Sequence, residues 1–293
     1  MIEYSIIDDE AIALGGTSLT LKALVEPIKD KVEFITTSDL SSTHLQFKHP
    51  RCWIIANVLA MNAESHKTLM FLLDHKKTVK IDFDYGFCKF RGPTPHRVLG
   101  KTECDCLTNP ETKALKVLYD SIKEKSSHIF YMSAAQRTIH NNFFDIPQEK
   151  TTVLSSCFTS ETFKKIKGLR GSPHNDKYAI VQGHPGWHSQ AKGVSESINY
   201  ALENDLEYEL ISTTTHEEML EKLSTYKGLI FLPLIEDTCP RITIEAKLMG
   251  LEVITIPNSQ HTSEEWWGYS LEKMEEYLKG RPHKFSQILS NLI

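Results

Sequence analysis

The chain has 293 residues, 40% hydrophobic and 24% charged, with a formal net charge of −5. That length allows two domains of ordinary size, each with its own core, and the composition excludes a disordered or a wholly basic nucleic-acid-binding protein. No apolar run approaches the ~20 residues of a membrane span. The start, MIEYSIIDDEAIAL, lacks an export signal, and the six cysteines read as reduced thiols or metal ligands, so a cytoplasmic location is expected.

Short β-branched runs alternate with amphipathic segments along the chain, the pattern of parallel sheets covered by helices, so the fold class is α/β. In the first half, strands are predicted near Tyr4–Ile7, Val32–Thr36, Cys52–Val58, Val79–Phe83 and Ile129–Met132. Asn109-Pro110-Glu111 reads as a capped helix start with Leu115, Leu118 and Ile122 on one face. Phe144–Lys150, with Pro147, is the expected connection between halves, which places the domains at 1–148 and 149–293, with the last helix a candidate to pack back on the first. The second half repeats the theme with Thr152–Ser155, Tyr178–Val181, Tyr208–Ile211, Leu229–Leu232 and Val253–Ile256. Thr215 and Glu218 form a capping box ahead of Met219, Leu220, Leu223 and Tyr226, and Val194, Ile198, Ala201 and Leu202 make another buried face. Two Rossmann-like halves on either side of a cleft are expected, and Trp266 and Trp267 are read as core or hinge packing.

The segment PLIEDTCPRITIEAKLMG, Pro233–Gly250, carries the most chemistry. It reads as a strand end, an acidic loop and a helix with Pro240 at its first position, where a missing N–H costs nothing. The unpaired amides of Arg241, Ile242 and Thr243 and the helix dipole then favour a phosphate. Asp237 and Glu245 flank that spot, and a carboxylate accepts two hydroxyl hydrogens of a sugar diol at once. An ordinary capped surface helix with solvated acids fits the same spacing.

That segment, together with Lys192-Gly193 in QAKGVSESINYALEN and the Gly15-Gly16 turn, resembles retaining GT-B glycosyltransferases, the enzymes with paired acids eight positions apart. IDFDYGFCKFRGPTPH, ECDC, FYMSAAQ and EEWW are similar to a phage-encoded subgroup. The resemblance implies a GT-B fold with a nucleotide-sugar donor, UDP-sugar first among them, bound by the second domain, and an acceptor side in the first. Glu245 would hold the ribose hydroxyls and Asp237 the donor sugar, with Thr238, Cys239 and Arg241 at the helix start close to sugar and phosphates. Lys192 would neutralise the diphosphate, and Gly15 and Gly16 would let backbone approach the donor. Asp84, just past a strand end, would be the catalytic residue brought towards the reacting sugar, although a turn-capping residue fits that position too. Many relatives place an arginine shortly before the lysine, where this chain offers His184 and His188. Retention of configuration is implied, and a fixed positive field at the leaving group makes a divalent metal dispensable.

Cys88, His96, Cys104 and Cys106 provide a Cys/Cys/Cys/His set suited to a structural zinc, and scattered reduced cysteines explain the pattern as well. Two basic stretches, the acid-free one of Lys89, Arg91, Arg97 and Lys101, then that of Lys164, Lys165, Lys167, Arg170 and Lys177, make DNA carrying a hydroxymethylated base the first-choice acceptor. A glycan, lipid or small molecule is the alternative acceptor. An inactive nucleotide- or DNA-binding module is the alternative from another class. An NAD enzyme is set aside because no G-x-G-x-x-G follows the first strand.

Overall fold

A computed structural model of the chain describes residues 2–9, 15–172, 175–182, 191–238 and 240–293. The β-branched runs form ten parallel strands among these residues, β1 (Tyr4–Asp8), β2 (Val32–Thr36), β3 (Cys52–Ile55), β4 (Thr78–Asp82), β5 (His128–Tyr131), β6 (Thr151–Val153), β7 (Asn175–Val181), β8 (Tyr208–Ile211), β9 (Tyr226–Phe231) and β10 (Glu252–Thr255). One sheet has the order β2-β1-β3-β4-β5-β6 and the other β10-β9-β7-β8. Strands β1, β3, β4 and β5 are buried at every position, as expected where helices cover both faces.

The chain divides into two compact units, 1–157 with 281–293, and 158–280. Thr152–Ser155, expected to open the second half, instead supplies β6, which pairs with β5 and completes the first sheet. The division therefore falls beyond the proline-containing connection. The terminal helix Leu271–Leu292 contributes residues to both units. Arg281 donates from Nε to the Leu154 carbonyl at 2.9 Å and from its guanidinium to that of Val153 at 3.0 Å, and Phe285 meets Phe130 edge-on at 4.9 Å.

The cores follow the apolar periodicity closely. In the first unit Ile7, Trp53, Ile55, Leu69, Leu72, Leu118 and Ile122 pack together. In the second, Ala179, Leu229, Ile244, Leu248 and Trp266 form the centre, with Trp266 stacked on Tyr277 at 5.8 Å. Two faces differ from expectation. Leu202 is 62% exposed, because i+8 drifts off the face that Val194, Ile198 and Ala201 define, and Tyr226 belongs to β9 rather than to the capped helix His216–Leu223. Among the described residues, no helix is long and apolar enough to cross a membrane.

Candidate functional site

In each sheet the strand order reverses at one place, between β1 and β3 in the first and between β7 and β9 in the second. Successive connections leave the sheet there on opposite faces, which opens a crevice at the carboxyl ends of the strands. In the second unit the segments following β7 and β9 bring Lys192 and Asp237 into an ion pair, with Lys192 the more exposed partner. The Lys192 ammonium also lies 5.9 Å from the centre of the Phe231 ring. Gly193 adopts φ +69 and abuts the β9 exit so closely that a Cβ would stand 1.7 Å from the Leu232 carbonyl oxygen. Only glycine allows the chain to turn there and present Lys192 beside the loop.

That loop is stitched in place from its own unit. The Asp237 amide donates to the Asn258 carbonyl at 2.7 Å, Gln260 donates back to the Asp237 carbonyl at 3.1 Å, and Asn258 Nδ2 donates to Pro233 at 2.9 Å. Thr238 is buried. Cys239, His184 and His188, all named from the sequence, lie outside the described residues. Pro240 is the N-cap, with φ −74 and ψ 79, and the helix runs Arg241–Leu248. The amide of Thr243, expected to be unpaired, donates to the Pro240 carbonyl at 3.2 Å, as does its hydroxyl at 2.8 Å. The helix thus starts one residue later than the sequence implies, and its first turn closes with an i→i+3 contact.

Glu245, one of the two acids expected beside the loop, is buried and held by two basic groups. His216 Nε2 lies 2.8 Å from its Oε1 and the Arg241 guanidinium 3.3 Å from the same oxygen. Arg241 in turn lies 4.2 Å above the Phe158 ring. Burial is the largest single influence on the Glu245 carboxyl and opposes its ionisation, yet His216 and Arg241 together outweigh it and hold the group below its ordinary range. His216 was missed in the sequence. Its signal was the capping box, since Thr215 as N-cap puts the next residue at the first helical position, facing the neighbouring helix.

In the first unit, Asp84 follows β4 and pairs with Arg91, Nε to Oδ2 at 2.6 Å. Burial pushes its carboxyl up despite that partner. Its carbonyl accepts from Gln136 Nε2 at 3.0 Å and from His140 Nε2 at 3.3 Å, so the backbone at this strand exit is fixed by two side chains. Beneath it Asp82 is fully enclosed with Lys80, at 3.1 Å, and Lys123. Burial most strongly opposes the Asp82 charge, but Lys123, Lys80 and His140 outweigh it and keep the carboxyl well below its usual range. At the reversal between β1 and β3, Asp9 accepts from the amides of Leu59 at 2.9 Å and Ala60 at 3.0 Å. Gly15 caps the helix Gly16–Val25 in extended backbone, and among the described residues no atom would lie within 4 Å of a Cβ there.

Cys88, His96, Cys104 and Cys106 converge in the first unit, their ligand atoms all within 4.8 Å of one another. The basic stretches are less uniform than their sequence. Lys89, Arg97 and Lys101 are exposed, whereas Arg91 is committed to Asp84. In the second stretch Lys165 pairs with Glu217, at 2.8 Å, and with Glu221, while Arg170 binds the Leu248 carbonyl at 2.9 Å and Glu275 at 3.0 Å. Those two charges are neutralised within their own unit, and Lys164, Lys167 and Lys177 remain exposed.

No protein-family model and no curated protein matches the chain. Solved structures do, over nearly its whole length. A sucrose-phosphate synthase from Thermosynechococcus elongatus superposes with a TM-score of 0.62 at 10% identity, covering 99% of both chains. HepE from Anabaena, solved with UDP and glucose, gives 0.56 at 12% identity, again over 99% of both. An alpha-glucosyltransferase solved with UDP and a 13-mer DNA containing an HMU base gives 0.52 at 10% identity, covering 98% of this chain and 90% of the other. The chain has the α/β, GT-B glycosyltransferase fold of these neighbours.

Proposed function

We propose that the chain is a glycosyltransferase that moves a sugar from a UDP-sugar to an acceptor hydroxyl with retention of configuration. The observation that carries this reading is the Lys192–Asp237 pair at the strand-order reversal of the second sheet, with the helix that carries Glu245 following the same loop. Neighbours of the same fold were solved with UDP, which supports the donor class. Lys192 leaves Asp237 for the diphosphate and neutralises the leaving group, and Asp237 then accepts from hydroxyls of the donor sugar. Glu245 takes the ribose hydroxyls through Oε2 while His216 and Arg241 keep it charged. Thr238, Cys239 and Arg241 lie in the segment assigned to the sugar and phosphates, and Gly15 and Gly16 are assigned to the donor by the resemblance. Asp84 serves the chemical step from the first unit.

The transition state develops oxocarbenium character on the sugar and negative charge on the diphosphate. The Lys192 ammonium and the helix start supply that stabilisation, so the proposed chemistry needs no divalent metal. The acceptor hydroxyl enters on the face the diphosphate leaves, and a donor phosphate oxygen takes its proton.

The acceptor we assign is DNA carrying a hydroxymethylated base, modified in the cytoplasm of a phage-infected cell. The exposed Lys89, Arg97 and Lys101 and the DNA-bound neighbour support it. A glycan, lipid or small-molecule acceptor is the competing reading. Incubation with labelled UDP-sugars and either DNA or free glycans separates the two, because transfer to DNA falls steeply with salt.

A further inference from the structure

Four ligand atoms in the first unit stand at the corners of a tetrahedron. Cys88 Sγ lies 3.6 Å from Cys104 Sγ and 3.7 Å from Cys106 Sγ, and His96 Nδ1 lies 3.5 Å from both Cys88 Sγ and Cys106 Sγ. The other two separations are within 4.8 Å. Zinc–sulfur bonds of ~2.3 Å and a zinc–nitrogen bond of ~2.05 Å at tetrahedral angles require sulfur pairs about 3.8 Å apart and sulfur–nitrogen pairs about 3.6 Å apart. These four edges match this cage. They are far longer than the ~2.05 Å of a disulfide.

The surroundings suit thiolates on a cation. The amide of Phe90 donates to Cys88 Sγ at 3.4 Å and that of Lys89 to Cys106 Sγ at 3.5 Å, bonds that stabilise negative sulfur. The other ring nitrogen of His96, Nε2, faces Asp105 Oδ1 at 3.8 Å, on the side where a carboxylate orients a ligating imidazole. Cys88, His96 and Cys106 are buried and Cys104 partly so. Three thiolates and one divalent ion leave a net charge of −1, which the adjoining Lys89, Arg97 and Lys101 offset.

From this geometry we infer that Cys88, His96 through Nδ1, Cys104 and Cys106 bind one zinc ion as a closed structural site. All four positions are filled by protein, so the ion takes no substrate. It ties a segment with little regular structure, between β4 and the helix Lys113–Lys125, into one unit, and the same turn carries Arg91 to Asp84. Metal binding does not depend on the proposed sugar transfer and is read without it.

Elemental analysis of desalted protein is expected to give about one zinc per chain. Cobalt(II) added to metal-stripped protein should produce a thiolate-to-cobalt charge-transfer band and the intense visible bands of a tetrahedral site. Limited proteolysis should cut between 88 and 106 after stripping and stop cutting when zinc returns. Cys104→Ser, at the least buried ligand, should lower zinc retention to below about 0.2 per chain. Stripped wild-type protein that takes up neither ion would overturn the site, as would full zinc content in both Cys104→Ser and His96→Gln.

Discussion

His216 Nε2 and Glu245 Oε1 lie 2.8 Å apart, joining the first turn of one helix to the middle of the next within the second unit. With Arg241 on the same oxygen, the contact keeps a buried carboxylate ionised, the form the proposed role at the ribose hydroxyls requires. Glu245→Gln should raise the donor KM by about ten-fold or more, since hydrogen bonds to a charged group contribute about 1.5–3 kcal/mol. His216→Ala should act in the same direction and more weakly. Steady-state kinetics with varied donor, alongside UDP titration calorimetry, checks both.

Lys192 is held by Asp237 and, in the proposed reaction, exchanges that partner for the diphosphate. Lys192→Ala should lower kcat by about 100-fold or more, the scale seen when one preorganised charge or donor is removed from a transition state. Asp84→Asn should also slow transfer, yet leave UDP affinity unchanged, because Asp84 belongs to the other unit. Equal loss of UDP binding in both variants would contradict this division of roles.

Two glycines should respond oppositely. Gly193→Ala forces a Cβ into the Leu232 carbonyl at φ +69 and should cost about 2 kcal/mol or more of stability, read from urea unfolding. Gly15→Ala adds a Cβ with no described atom within 4 Å and should leave the unfolding midpoint unchanged while raising the donor KM.

Acid should destabilise the first unit through its buried network. Burial and the nearby Lys123 push His140 from its ordinary 6.5 down to about 3. Between those values the unfolded chain binds a proton that the folded chain does not, so stability rises with pH across that window and falls on acidification through it. Asp82, held below the usual carboxylate range, acts in the same sense, its contribution being lost as pH falls below about 4. His140→Phe keeps the ring among Tyr85, Phe87 and Phe144 and should flatten the pH dependence of the urea midpoint between about pH 4.5 and 6.5.

Replacing Lys89, Arg97 and Lys101 together by glutamine should weaken DNA binding and lower the slope of log affinity against log salt by up to about 2.7, at roughly 0.9 per phosphate contact. Lys165→Gln should leave that slope unchanged, since Glu217 and Glu221 already neutralise it.

Much of the fold was legible because buried parallel strands announce themselves as β-branched runs. The limits were set by pairing, which sequence does not display. Thr151–Val153 reads equally well as the last strand of one sheet or the first of another, and only its ladder with β5 decides. The acids at 237 and 245 were marked by spacing and Lys192 by the resemblance, whereas His216 looked like scaffold because its partner comes from a different helix. Lys165 and Arg170 looked like a phosphate-facing stripe for the same reason, their neutralising acids being distant in the chain. The Cys/His set was visible as residue types, and the tetrahedral edges were not.

The most direct test of the central claim is transfer itself. Purified protein, a panel of labelled UDP-sugars and DNA containing hydroxymethylated bases should give label in the DNA with an α-configured linkage, and Lys192→Ala should remove it. A protein that transfers no sugar from any UDP donor to DNA, glycan or small-molecule acceptors, and binds no UDP, would contradict the account.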